Sequence, residues 1–421
     1  MAFPRMLRVR QKFTKSPPLN VAVALAEQFY ALGVLSGIEP GTRIAVTAGS
    51  RGITNIAQIV GSVIGLLKSA GAAPFIVPAM GSHGGATPEG QLTLLADYGI
   101  TEASMGVPIR ASMETKILGT TPDGVPVHFS VAALDSDGIV VLNRIKPHTD
   151  FQGGLIASGM LKMIAIGLAK RNGAEALHAA AARLGHERIV TSAARISLAH
   201  APILCAIGLV EDPFHQTAIV KVTRPETIES VEADLLNEAR ARMPKLPFDD
   251  VDLLIVDQIG KNISGTGMDT NIVGRGVQGY SSSLIPGEMP SPVIRRLFVR
   301  GLTPQSHGNA VGIGIADFVT TRLVNAINRN ATYINSLTAM TPQLSKIPMY
   351  FDTDREVIQK AIGTLALPQG APVRCIRIAD TLSLEEVLVS EAYAGEIATR
   401  ADLEILSGAS EMTFDGDGNL T

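Results

Sequence analysis

The sequence predicts an α/β protein of two domains, each built on a largely parallel sheet, with an active-site cleft between them. Three observations carry that reading. At 421 residues the chain exceeds what one ordinary hydrophobic core organises. Short β-branched runs alternate with stretches whose apolar residues recur at helical spacing, the pattern of successive βα units. Residues 138–143, Gly-Ile-Val-Val-Leu-Asn, form a continuous apolar run of the kind covered on both faces of a parallel sheet.

Taken in order, residues 43–47 (Arg-Ile-Ala-Val-Thr) read as a strand, and residues 48–52 turn the chain. Residues 53–70 then place Ile56, Ile59, Val60, Val63, Ile64 and Leu67 on one helical face, completing a βα unit. Residues 74–78 are the next strand. The glycine-rich loop Gly81-Ser82-His83-Gly84-Gly85 follows, and Thr87-Pro88-Glu89 opens a helix with a hydroxyl at the N-cap and proline in the first turn. The run 138–143 leads directly into a loop carrying His148. Residues 160–169 and 174–184 are helical in pattern, and Arg171-Asn172-Gly173 between them reads as a stop-and-turn. Beyond residue 187 come a helix, strands at 203–210 and 218–222, and a charged helix over 225–243. Residues 244–250 (Pro-Lys-Leu-Pro-Phe-Asp-Asp) punctuate the chain, so the expected domains are 1–247 and 248–421. The second has strands at 251–257, 294–299 and 373–378 and helices at 316–328 and 354–364.

Charge and composition narrow the function. The formal net charge is −3, charges of both signs are scattered, and the chain has no Trp and no basic stripe interleaved with aromatics, so nucleic acid is not an expected partner. A small molecule is. Cys205 and Cys375 lie far apart in apolar, strand-like surroundings and read as buried thiols. The first ten residues break their apolar run with Pro and Arg, and the uncharged apolar stretch at residues 52–67 is short and contains Thr, Asn, Gln and Ser. A cytoplasmic protein with no membrane span is therefore expected; a homo-oligomer is compatible with the composition.

The chemistry concentrates at turn-like points: Arg51, His83, His148, Lys162 and His178. Imidazole moves protons near neutral pH or binds soft metal ions, lysine can hold a cofactor covalently, and arginine grips a carboxylate through two parallel hydrogen bonds. Arg51, His83 and His148 each follow the expected end of a different strand, where ligands bind in open parallel sheets. Neighbouring strands would put all three in one crevice, with Gly84 and Gly85 letting backbone amides approach a ligand phosphate. Lys162 and His178 would stand roughly 24 Å apart in one unbroken helix, so a shared site needs a reversal between them. His128, His186, His200, His215 and His307 read as structural. Zinc held by His83, His148 and His178 in a hydrolase or lyase is an alternative, although no His-x-x-x-His pair is present. A nicotinamide dehydrogenase is another, although no Gly-x-Gly-x-x-Gly follows the first strand. A noncatalytic carboxylate-binding protein of the same fold is a third.

These residues are also where the chain resembles the lactate racemase family, whose members use a nickel-pincer nucleotide. Gly81-Ser-His-Gly-Gly-Ala-Thr-Pro-Glu-Gly90 is similar to the family's loop with a catalytic histidine, and Arg144-Ile-Lys-Pro-His148 to the segment with its second. Ser158-Gly-Met-Leu-Lys162 with His178 resembles the cofactor lysine and the nickel-binding histidine. The resemblance covers most of residues 20–340, strongest over 43–180, and is that of a divergent branch. It implies Lys162 joined through a thioamide to a pyridinium mononucleotide, with His178 as the protein ligand to nickel. It further implies His83 and His148 as alternating acid and base, and Arg51 on the substrate carboxylate. The implied reaction is racemisation or epimerisation of a 2-hydroxy acid by hydride and proton transfer through a 2-keto intermediate. The implied partners are that small acid and the enzymes that build the cofactor. In the second domain the glycine-rich segment 261–275, with Lys261, Asp269, Asn271 and Arg275, is expected to contact a polar or acidic hydroxy acid. Residues 305–309 and Asp317 are weighed in the same way.

Overall fold

A computed structural model describes residues 3–50, 52–148, 154–276, 292–368 and 370–421. Arg51, expected at the substrate carboxylate, lies outside the described residues. The chain divides into two compact units, Thr14–Met243 and a second that joins Met1–Phe13 to Pro244–Thr421. Strand β1 (Met6–Gln11) thus belongs with the C-terminal half, whereas the expected division kept all of 1–247 together. The reason is non-local pairing. β1 is hydrogen-bonded antiparallel to two strands near the end of the chain, and Arg8 and Arg10 on it both pair with Glu386.

In Thr14–Met243 the strands are β2 (Arg43–Ala48), β3 (Ala73–Pro78), β4 (Thr115–Thr120), β5 (Pro126–Ser130), β6 (Gly138–Arg144), β7 (Ile203–Glu211) and β8 (Thr217–Thr223). The main sheet runs β3-β2-β6-β7-β8; the first four strands are parallel and β8 is antiparallel. β4 and β5 form a separate hairpin that the sequence reading lacked. Both faces of the sheet are covered. Ile44, Val46, Ala48, Val140 and Leu142 face one core with the Ile56–Ser69 helix, while Ala45, Ile139 and Val141 face another formed with residues 160–181. That alternation is the two-residue strand period acting on continuous apolar runs. The apolar positions expected on the Ile56–Ser69 helix, Ile56 through Leu67, are all buried.

The other unit contains β9 (Asp250–Ile259), β10 (Val293–Leu302), β11 (Phe318–Thr320), β12 (Met349–Phe351), β13 (Cys375–Ile378), β14 (Glu386–Ser390) and β15 (Leu403–Ser410). Its sheet runs β12-β11-β10-β9-β13-β14-β1-β15, parallel through β13 and antiparallel beyond. A helix expected over 316–328 begins instead as β11 and turns helical only at Thr321–Asn325, capped by the Thr320 hydroxyl. Buried between neighbouring strands, Phe318 and Val319 gain more from the sheet than a helix of that length offers. Both cysteines are free and buried. Among the described residues no helix is long and apolar enough to cross a membrane.

Candidate active site

The site is built in Thr14–Met243, at the carboxyl ends of β2, β3 and β6. Because β2 lies between β3 and β6 and all three are parallel, their following loops emerge side by side. Main-chain pairing of β2 with β6 extends to Val46 and Val140. Beyond it the Leu142 N–H donates to the buried Thr47 hydroxyl at 2.9 Å, so the strands part where their loops begin. Glu211 at the end of β7 bridges two of these loops: Arg144 donates to one carboxylate oxygen, and the Thr54 N–H to the other at 3.2 Å.

His83 is exposed, and its Nδ1 bonds to the Ser50 hydroxyl. Ser50 is a site residue the sequence reading passed over, although it sits beside Arg51. Its carbonyl is fixed in turn by the Tyr98 hydroxyl at 3.0 Å. Nδ1 is thus engaged by a hydroxyl that can donate or accept, which orients the ring. The loop is held from below by Gln91, whose buried amide donates to the Gly81 carbonyl at 3.0 Å and the His83 carbonyl at 3.4 Å. The expected helix start is in place, with the Thr87 hydroxyl accepting from Gly90 N–H at 3.1 Å. Gly84 and Gly85 have φ of 67° and 65°. A side chain at Gly84 would meet Gly90 main chain at 2.6 Å, so that glycine is required by the helix start; Gly85 faces open space.

The Lys162 segment forms the floor. Met160–Lys162 is a helical turn that runs into a π-helical turn, Met163–Gly167, and the Lys170–Leu184 helix follows. Wide turns of this type are rare and frequent at functional positions. The expected reversal at Arg171-Asn172-Gly173 is absent; those residues are helical. The break comes earlier, at Lys170, whose φ is 56°. Its side chain is fully buried and donates to the Pro78 carbonyl at 2.6 Å, tying the break to the end of β3. Burial without a counter-charge lowers the Lys170 pKa to about 8. The same segment receives the His83 loop: Gly81 N–H donates to the Gly167 carbonyl at 3.1 Å.

From this floor Lys162 Nζ meets His148 Nε2. The loop between them is closed by paired main-chain bonds of Lys146 with Ser158, at 2.9 and 3.1 Å. His186, read from sequence as structural, completes the group: its ring lies 6.0 Å from that of His148 and 6.1 Å, edge to face, from that of His178. Half-buried His178 has its pKa lowered to about 4 by burial first, then by the charges of Lys162 and His186. At neutral pH it therefore presents an uncharged imidazole with a lone pair, the form that ligates a metal. His148, Lys162, His178 and His186 are thus gathered in one group, and His83 stands on a loop bonded to the same floor.

The residues expected in the second domain belong to the other unit. Lys261 Nζ donates to the Gly265 carbonyl, and the Asn271 side-chain amide donates to Asp269 at 3.0 Å. Arg275 departs from the expected substrate contact: it is buried, and its guanidinium donates to the Ile315 carbonyl at 2.9 Å, the Ile294 carbonyl at 3.1 Å and Asp317 at 2.6 Å. Those bonds account for it as an internal brace. Asn309 is likewise bonded within its own unit, to Asn335 at 3.2 Å. Among the described residues, no group of three or more His, Cys, Asp or Glu is arranged to hold a metal ion, so His83, His148 and His178 do not form a zinc site.

The donor set does fit a nickel-pincer nucleotide, which brings its own sulfur and carbon ligands and asks of the protein one amine to attach it and one imidazole. Lys162 and an uncharged His178 in one group supply these.

Comparison with known proteins bears on the fold and on the first half of the chain. No curated protein matches the chain. A Thermotoga maritima protein solved by structural genomics shares the fold at a TM-score of 0.55 and 11% identity, over 88% of this chain and 99% of that one. The lactate racemase apoprotein from Thermoanaerobacterium thermosaccharolyticum shares it at a TM-score of 0.51 and 15% identity, over 89% and 93%. At those identities the likeness concerns fold. The sequence match is more specific: residues 20–190 match the model of the lactate racemase N-terminal domain.

Proposed function

We propose that the protein is a racemase or epimerase of a 2-hydroxy acid that works with a nickel-pincer nucleotide. The observation that carries this is the meeting of the Lys162 amine with His148, beside the uncharged ring of His178. Lys162 would hold the nucleotide covalently and His178 would ligate its nickel; when bound, the group accepts and returns a hydride. The chain's own part is proton transfer and orientation. Inverting a carbinol centre runs the same reaction from mirror-related hydroxyls, so a base is needed on either side, and each contributes about 10²–10⁴ in rate. His83 and His148 are the two bases. The Ser50 hydroxyl accepts from Nδ1–H of His83 both when Nε2 is the base and when, protonated, it is the acid, and so holds the ring in the tautomer this role needs. Arg51 is the carboxylate anchor in this reading.

Protein co-produced with the cofactor-building enzymes should carry a nickel-containing adduct on Lys162 by intact mass and peptide mapping. It should then interconvert the enantiomers or epimers of a 2-hydroxy acid from a panel resolved by chiral chromatography. Repeated absence of adduct and nickel would remove the proposal. A carboxylate-binding protein without activity would instead bind an acid with affinity unchanged by His83→Ala and His148→Ala.

A further inference from the structure

Beneath the lysine turn lies a carboxyl group that the chemistry above does not use. Glu232, on the Ile228–Arg242 helix, is fully buried. One of its oxygens accepts the Leu161 N–H at 2.8 Å. The other oxygen is buried and has no hydrogen-bond partner among the described residues. The first N–H groups of a helical turn have no partner within it, and ordinarily a Ser, Thr, Asp or Asn at the preceding position supplies one. Here that position is Gly159, which makes no side-chain cap. It also has no room for one: a Cβ on Gly159 would stand 2.3 Å from Glu232 Oε1. The Gly159 carbonyl is gripped on its other side by the Asn143 amide, at 2.7 Å. The turn bearing Lys162 is therefore capped from a helix some seventy residues further along the chain.

We infer that Glu232 is the positioning residue of Lys162: its carboxyl group, reaching in from another helix, fixes the peptide N–H of Leu161 immediately before Lys162 and so sets where the amine is delivered. The functional meaning rests on the proposed attachment of a cofactor to Lys162, whereas the positioning itself does not. A local cap would hold the turn only to its own neighbours. A remote one ties the amine to the Ile228–Arg242 helix, and the missing side chain at Gly159 is what admits it. Burying an acid with one oxygen unsatisfied is costly, and retaining it at the base of a reactive lysine is the pattern of a tuned site.

The experiment uses the full-length apoprotein and needs no cofactor. Lys162 is trace-labelled with acetic anhydride and read by peptide mass, with exposed Lys116 and Lys221 as references, while amide exchange is followed over residues 159–163. Loss of a buried acceptor in Glu232→Leu should raise amide exchange at 160–162 by about tenfold and change Lys162 labelling severalfold, leaving the references unaltered. Glu232→Gln keeps a carbonyl oxygen for the Leu161 N–H and should stay within about twofold of wild type in both. A purely structural role would lower the melting temperature without singling out Lys162. Folded Glu232→Leu with labelling and exchange both unchanged would overturn the inference. If that variant does not fold, Glu232→Asp decides: its shorter reach should raise exchange at 160–162 selectively, and unchanged exchange overturns the idea. A wild-type protein that never acquires an adduct refutes the proposed function and leaves these labelling results standing.

Discussion

Glu232 also predicts a stability profile that runs opposite to ordinary acid denaturation. Burial pushes its pKa from 4.5 up to about 7, against the opposing pull of the Leu161 and Met160 N–H groups. Below pH 4.5 the carboxyl is neutral in both folded and unfolded chains and carries no ionisation penalty. Above that value the unfolded chain releases the proton while the folded chain retains it until pH 7. Stability is therefore fully present below pH 4.5 and lost as pH rises through 7. At about 1.4 kcal/mol per pH unit, the gap amounts to about 3 kcal/mol. Glu232→Gln removes this dependence and leaves every other titrating group in place, so the difference between the two proteins isolates it. Urea unfolding followed by circular dichroism at pH 4.5, 6 and 8 should show the variant gaining about 3 kcal/mol on wild type across that range. Because the chain has two units, amide exchange should assign the change to Thr14–Met243. Parallel profiles for the two proteins would show that water reaches the carboxyl and that its burial has no energetic consequence.

Three further outcomes follow from the same coordinates. His178, lowered from 6.5 to about 4, should show imidazole resonances that do not move between pH 5.5 and 8. Its share of stability is present above pH 6.5 and fades as pH falls toward 4, and Lys162→Met should raise its midpoint. Gly84 and Gly85 share a positive φ but not their surroundings, so alanine separates the two effects. By unfolding free energy, Gly85→Ala should cost only the backbone term of about 1–2 kcal/mol. Gly84→Ala, driven into Gly90, should cost clearly more and displace the His83 loop. Lys170→Met removes the bond to the Pro78 carbonyl and should destabilise the apoprotein by about 1–3 kcal/mol in urea unfolding near pH 7, provided the orphaned carbonyl stays dry.

What the sequence made legible is what local patterns encode. β2, the Ile56–Ser69 helix, β3 and β6 follow from apolar periodicity, and Thr87-Pro88 marks a helix start from residues that touch one another. His83, His148, Lys162 and His178 stood out because polar groups at strand ends and turns had no packing reason to be there. The rest depends on partners distant in sequence. β1 alternates weakly and finds its place only against β14 and β15. His186 opens the His186–His200 helix and looks like a surface residue until the Lys170–Leu184 helix brings His178 beside it. Arg275 carries the same charge as a substrate-binding arginine, and only its burial against Asp317 reveals a brace. Glu232 had no signal at all, since one carboxylate in a charged amphipathic helix reads as solvated.

The break at Lys170 shows why composition alone could not have placed the site. One regular helix from Met160 to Leu184 would set Lys162 and His178 on a line roughly 24 Å long. The chain avoids this by widening a turn at Met163–Gly167 and then forcing Lys170 through the left-handed region, a conformation that costs a non-glycine residue about 1–2 kcal/mol. A glycine at 170 would make the same bend without that cost. It would not reach the Pro78 carbonyl, and the end of β3, from which the His83 loop departs, would lose its tie to the floor. Lys170→Gly should therefore recover backbone strain and still loosen the His83 loop. Amide exchange at Gly81, whose N–H is bonded to Gly167, reads this directly. Faster exchange there, with the Lys170–Leu184 helix still protected, is the expected result. Unchanged exchange would mean that the bend by itself, and not the buried amine, joins the two halves of the site.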